Sequence, residues 1–231
     1  MTSSSVPVGA AAPTAVESRA MAGVYGWMML GLLITGGVAW FSANTPAITN
    51  LFMNVWVLFG VLALQIVAAL TLGALVLRLP PAVATALFLA YAVLMGLTFA
   101  LIIFVYTLGS IAVAVLITAG AFGALSAFGY FTKRDLAGWG LFLFIALAGL
   151  IIASLVNWFL ASAWLDWVIA VVGVILFAAL TAYQTQQIKR RLVEARDAHG
   201  ARQVTIYGAF TLYLNFINMF VKVLRLVGQR K

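Results

Sequence analysis

SIAVAVLITAGAFGALSAFGYF, residues 110–131, contains no charged side chain and is long enough to cross a bilayer as a helix, which needs about 20 mostly apolar residues. Lys133 and Arg134 follow it directly, whereas no basic residue precedes it until Arg78. Comparable runs occupy residues 21–41, 53–77, 82–106, 139–160, 165–187 and 204–225, so that seven candidate spans fill almost the whole chain. The runs are continuous and rich in Leu, Ala, Gly and Phe. A closed membrane barrel would instead show short alternating segments. The fold expected is therefore an all-α integral membrane protein, a bundle of seven transmembrane helices.

Composition supports this independently. Hydrophobic residues make up 65% of the chain and charged ones 8%, against roughly 25% charged in a soluble domain. The net charge of +8 does not point to nucleic acid, because the basic residues sit at the ends of spans. Arg19 precedes the first, Arg78 follows the second, Lys133 and Arg134 lie between the fourth and fifth, and Lys189, Arg190, Arg191, Arg196 and Arg202 lie between the sixth and seventh. The loops after the first, third and fifth spans have no Lys or Arg. By the positive-inside rule the N-terminus, the even-numbered loops and His199 face the cytoplasm, and the partner of this charge is the anionic surface of the lipid bilayer. Lys222, Arg225, Arg230 and Lys231 at the far end of the seventh span run against this pattern. Two readings stand: the segment crosses and its charges are overruled by the preceding basic loop, or it is re-entrant and returns to the cytoplasm.

Residues 1–18 are rich in Ser, Ala, Pro and Thr, the composition of a disordered tail. Residues 1–20 are accordingly read as a disordered cytoplasmic tail and 21–231 as the transmembrane domain. No secretory signal is expected, since the first basic residue, Arg19, stands at the mouth of the first span, whereas a signal needs a basic region before its apolar core. Trp40, Trp56, Trp139, Trp158, Trp164 and Trp167 fall at span ends, as in an interfacial aromatic belt. Small residues at fourfold spacing, Ala119, Gly123 and Ala127 in the fourth span and Gly149, Ala153 and Asn157 in the fifth, suggest tight packing inside the bundle. A homodimer seam is the alternative.

Groups that could carry chemistry are scarce. With no Cys and a single His, neither a thiolate centre nor a multi-His metal site can be assembled. Ser110, Ser126 and Ser154 have no His or Lys partner in view for nucleophilic catalysis, and none of Glu17, Asp135, Asp166, Glu194 and Asp197 falls in the middle of a span. No enzyme activity, cofactor, metal or nucleic acid is expected. Polar side chains do gather in the last two spans. Tyr207, Thr211, Asn215, Asn218 and Lys222 follow helical steps of four, four, three and four, while Thr181, Gln184 and Thr185 share a face of the sixth span. Arg78, at the inner end of the second span, completes this candidate pore or polar seam. It reads equally as a set of interhelical hydrogen bonds and as the lining of a water-accessible cavity.

The stretches Val24-Tyr25-Gly26-Trp27-Met28, Gly31-Leu32-Leu33-Ile34-Thr35-Gly36, Met95-Gly96-Leu97-Thr98 and Phe122-Gly123-Ala124-Leu125-Ser126 through Gly129-Tyr130-Phe131-Thr132-Lys133-Arg134-Asp135-Leu136 resemble the Bax inhibitor family. So do Gly149-Leu150-Ile151-Ile152-Ala153-Ser154-Leu155-Val156-Asn157, Tyr183-Gln184-Thr185-Gln186-Gln187-Ile188-Lys189 and Leu212-Tyr213-Leu214-Asn215-Phe216-Ile217-Asn218. Their order and spacing cover nearly all of the chain beyond the tail and fit the bacterial branch best, which places the protein in a bacterial inner membrane. The resemblance implies a seven-helix fold with the last helix central and surrounded by the other six. It also implies a role in calcium leak and ion transport, in stress response or cell-death suppression and, for some bacterial members, association with a membrane-bound ATP-dependent protease. Leak-competent members use one Asp in the sixth span and one in the seventh, a pair that titrates as a unit. Those positions fall on Gln184 and Asn215, so neutral amides replace both carboxylates, and neutral oxygens alone compensate poorly for the hydration a divalent cation must shed.

Overall fold

The computed structural model describes residues 15–195 and 197–231. Eight α-helices follow one another: α1 (Ala15–Ala43), α2 (Pro46–Met53), α3 (Val55–Leu75), α4 (Pro81–Val105), α5 (Leu108–Phe131), α6 (Gly140–Leu160), α7 (Ala163–Glu194) and α8 (Ala198–Val227), with a single 3₁₀ turn at Ala137–Trp139 before α6. Seven of them, all but α2, are long and apolar enough to span a membrane, and they correspond in order to the seven expected runs.

The ends of the helices are set by local chemistry. Asn54, Thr107, Ser162 and Asp197 cap α3, α5, α7 and α8, their side chains accepting from the N–H groups of Trp56, Ser110, Leu165 and Gly200; each satisfies a donor that the first helical turn would otherwise leave open. Pro80 and Pro81 separate α3 from α4, with Pro81 in the first turn of α4, where a missing N–H costs nothing. Ala161 ends α6 in the left-handed conformation at φ 49°.

Two expectations are corrected. The segment 1–20 read as a disordered tail is helical from Ala15 onward, because Ala15, Glu17, Arg19 and Ala20 are helix formers and extend the first span beyond its apolar run; residues 1–14 lie outside the described residues. The stripe Ala119, Gly123 and Ala127 faces outward rather than into the bundle. The buried face of α5 includes Ala114, Thr118, Phe122, Ser126 and Gly129, and α5 comes close to α7 at Gly129, where a Cβ would run into the backbone carbonyl of Ala182. Helix α8 is the most buried of the spans; it packs along α7 and against α1, α3, α4 and α5, while the main contact of α6 is with α7.

The core lies between α1, α4 and α8. Phe88, Tyr91, Phe210 and Tyr213 stack edge to face with ring centroids 5.4–6.2 Å apart, the arrangement the aromatic quadrupole favours. Tyr213 Oη lies 2.7 Å from Thr35 Oγ1, which donates to the carbonyl of Ala92 at 3.0 Å. Because that hydroxyl has one proton, the tyrosine is the donor of the first bond. Lipid offers little hydrophobic drive for helix association, so close packing and buried hydrogen bonds of this kind hold the helices together. At Gly96 a Cβ would come within 2.8 Å of the Thr35 carbonyl, so the glycine sets the α1–α4 separation.

At about 1.5 Å per residue, α7 and α8 each exceed a hydrocarbon core of roughly 30 Å. Their basic ends meet the α5–α6 and α3–α4 connections: Gln186 and Arg190 bond Arg134, Asp135 and Leu136, and Gln203 donates to Leu79 O at 2.9 Å. At the opposite face the chain's end is clasped to the α4–α5 connection, with Thr107 N donating to Gln229 O at 3.1 Å, Lys231 N to Val105 O at 3.0 Å and Gln229 N to Ser110 Oγ at 2.9 Å. Helix α8 runs unbroken between these faces. It crosses fully, and the re-entrant reading is set aside.

Candidate functional site

The two amides expected to replace the acidic pair meet. Asn215 of α8, only 4% exposed, donates from Nδ2 to Gln184 Oε1 of α7 at 2.6 Å. The contact follows from the sequence: α7 and α8 pack along their length, and both residues fall on the facing stripes. One turn from Gln184, Thr181 is fully buried and its hydroxyl donates back to Phe177 O at 2.7 Å. Thr185 Oγ1 and Gln187 Nε2 are buried without a protein partner among the described residues. The pair thus lies in a neighbourhood richer in polar groups than in bonds between them, and every one of those groups is electrically neutral.

The other expected seam residues are distributed differently. Thr211 is half-buried one turn before Asn215. Tyr207, also half-buried, lies under the Arg191 guanidinium, 5.2 Å from the ring centroid, and so belongs to the basic end of the bundle. Asn218 is exposed and bonds the carbonyl of its own helix at Leu214. Arg78 is exposed at the end of α3, away from the Gln184–Asn215 contact. A step of three from Asn215 carries Asn218 past the α7 face, which is why a spacing that reads as one stripe divides between two surroundings.

Toward the opposite face, Lys222 lays its aliphatic stem on α7 at Gly173, where a Cβ would come within 3.0 Å of the lysine Cγ. Arg225, one turn further, pairs with Asp166 of α7 at 2.7 Å. This end of the α7–α8 contact therefore carries two cations against one carboxylate, a field that disfavours entry of a cation.

A second polar assembly, not singled out by sequence reasoning as a unit, locks the inner end. The side chain of Gln186, 7% exposed, bonds at both its termini: Oε1 accepts from Leu136 N at 2.9 Å and Nε2 donates to Arg134 O at 2.8 Å. Lys189 donates to Tyr130 O at 3.2 Å and lies 4.5 Å over the Tyr130 ring, and Arg190 pairs with Asp135 at 2.7 Å. The Ala137 N–H and, after it, the Arg190 guanidinium hold the Asp135 carboxyl below the ordinary carboxylate range. Positions 186, 189 and 190 form one helical face, and that spacing is the signal that could have revealed them. In α3, Gln65 is buried and donates to Leu94 O at 2.8 Å and to Thr98 Oγ1 at 3.0 Å, tying α3 to α4. A lone Gln inside an apolar run was its only sign.

Comparison with known proteins agrees with this architecture. A family described as inhibitor of apoptosis-promoting Bax1 matches residues 17–231. The inner membrane protein YbhL of Escherichia coli K12 is 46% identical over 222 residues, covering 95% of each chain. An uncharacterized protein of Deinococcus radiodurans is 38% identical over 91% of this chain and 90% of its own, and one of Caulobacter vibrioides is 37% identical over 90% and 87%.

Proposed function

The chain belongs to the Bax inhibitor family, and on that premise we propose that it is a multi-pass protein of the bacterial inner membrane, without enzymatic activity, that serves ion homeostasis through a low calcium leak along the α7–α8 seam. The observation that carries this reading is the buried bond from Asn215 to Gln184. It occupies the contact at which leak-competent relatives are expected to hold their two carboxylates, and it closes that contact with groups that neither ionise nor attract a divalent cation strongly. A leak through this seam is weak at rest and indifferent to pH between about 6 and 8, because amides have no proton to exchange in that range. Reconstitution into calcium-reporting vesicles across a pH series tests it. A large flux that varies steeply with pH would assign the gate to another place in the bundle.

The neutral pair also favours a second reading, in which the scaffold regulates a membrane-bound ATP-dependent protease and conduction is vestigial. Deleting the N-terminal tail separates the two: a leak persists without it, whereas a partner held by the tail is lost from a pull-down.

A further inference from the structure

Helices α1 and α5 both pack against α7 and α8 and leave between them a groove of about 450 Å³ at the basic end of the bundle. Its walls are almost wholly apolar, with Met21, Tyr25 and Met28 from α1 facing Phe122, Gly123 and Phe131 from α5. Ser18, Tyr25, Ser126 and Tyr130 bring hydroxyls to its wall; Ser126 is 5% exposed, and its enclosed hydroxyl has no hydrogen-bond partner among the described residues. A buried hydroxyl left without a partner is costly and points to an acceptor supplied from outside the fold.

Tyr130 forms part of this groove and also of a neighbouring pocket of about 280 Å³ beyond the end of α5. That pocket is polar, lined by Lys133, Lys189, Arg190 and Glu194. Asp135 already pairs with Arg190, which leaves Lys133 and Lys189 against Glu194. Lys189 spends one N–H on Tyr130 O and has two more to offer. An apolar slot with a buried hydroxyl in its wall leads through Tyr130 to a lysine-lined pocket at the basic surface, and this succession matches an acyl chain with its ester and an anionic headgroup.

We propose that the α1–α5 groove holds one acyl chain of an anionic phospholipid from the leaflet on the basic side, with the ester accepting from Ser126 and the phosphate held by Lys133 and Lys189. The charge of the pocket selects a lipid with net negative charge over a zwitterionic one, and the continuity of slot and pocket through Tyr130 selects a whole lipid over free phosphate.

Native mass spectrometry of the purified full-length protein, offered phosphatidylglycerol or phosphatidylcholine, tests the assignment. Wild type retains phosphatidylglycerol in preference, and inorganic phosphate does not displace it. Gly123 has open space where a Cβ would go, so Gly123→Leu fills the slot without disturbing its neighbours and abolishes retention. Gly120, on the same helix but outside the groove and equally open, is the control, and Gly120→Leu retains lipid. Lys133→Ala lowers retention of phosphatidylglycerol by about fivefold, the worth of one basic residue at an anionic lipid surface, and lowers that of phosphatidylcholine less, because its choline offsets the phosphate charge; Ser126→Ala weakens both lipids alike. Equal retention of the two lipids by wild type, or undiminished retention in a folded Gly123→Leu protein, overturns the proposal. So does retention that appears only after residues 1–14 are removed, which would give the groove to the chain's own N-terminal segment.

Discussion

Asn215 and Gln184 bridge α8 and α7 through a 2.6 Å amide–amide hydrogen bond buried in the most enclosed helix contact of the bundle. A bond of this kind inside a membrane bundle contributes roughly 1 kcal/mol, too little to specify the fold, yet its chemistry determines what the contact can do. Amides hold the two helices together at every pH. Two carboxyl groups at the same separation would hold them only while sharing a proton and would repel once both were charged.

Replacing both residues by Asp therefore converts a fixed contact into a titrating one. Gln184→Asp with Asn215→Asp introduces a calcium flux that rises with pH, since proton loss both separates the helices and supplies charge that attracts the cation. Each single replacement gives a smaller effect. Calcium-reporting vesicles between pH 6 and 8 provide the measurement, and a folded double mutant with no added pH response would show that these positions are not equivalent to the acidic pair.

The clasp between the chain's end and the α4–α5 connection carries a topological consequence. Because α8 is continuous from Ala198 to Val227, its two ends lie on opposite faces of the membrane, and the basic loop marks the cytoplasmic one. The chain has no Cys of its own, so single Cys residues report cleanly. A Cys at 199 is shielded from an impermeant thiol reagent in intact cells, whereas one at 229 reacts. Labelling in the reverse order would invert the assignment.

At Gly129 a methyl group has no room, because the nearest atoms are the backbone of Ala182, which cannot rotate aside as a side chain can. Gly129→Ala costs about 1–3 kcal/mol through overpacking, read as a lower midpoint of thermal unfolding in detergent. Gly149, with open space around it, accepts the same change without loss. Equal effects at the two positions would refute the close approach of α5 to α7.

The spans were legible because run length against bilayer thickness is a strong constraint. Their ends were less so: Ala15–Ala20, the last turns of α7 and the first turn of α8 extend past the hydrocarbon, where polar residues carry the helix on and the apolar signal stops. The Gln184–Asn215 contact is legible through the family resemblance, which sets the two positions against each other; the many other polar residues of the last two spans would not single them out. The rotation of each helix is not legible. A span that is hydrophobic all round gives no stripe to orient it, so in sequence the outward face of Ala119, Gly123 and Ala127 reads as a packing face. For the same reason the Thr35–Tyr213 bond and the Gln65 tie between α3 and α4 were missed. Arg78 and Asn218 look like seam residues in one dimension and are exposed in three.

The inner latch makes the last prediction. Gln186 is buried and satisfies one donor and one acceptor of the α5–α6 connection at once, while Arg190 and Asp135 add a bond at the exposed rim. Removing the buried partner leaves Leu136 N–H and Arg134 C=O without their side-chain partner, at a cost of about 1–3 kcal/mol. Gln186→Leu therefore lowers the thermal midpoint, and Gln186→Glu, which keeps an acceptor for Leu136 but has no donor for Arg134, loses less than Leu near neutral pH. The rim bond behaves differently because it titrates. Asp135 has a depressed pKa, so its contribution is present above the ordinary carboxylate range and lost as pH falls through the lower folded value. Followed by NMR at the Ala137 amide, the Asp135 midpoint lies below that range in wild type and moves up in Arg190→Ala, though not to the ordinary value, because the Ala137 N–H still donates. A midpoint unmoved by loss of Arg190 would leave the latch to Gln186 alone.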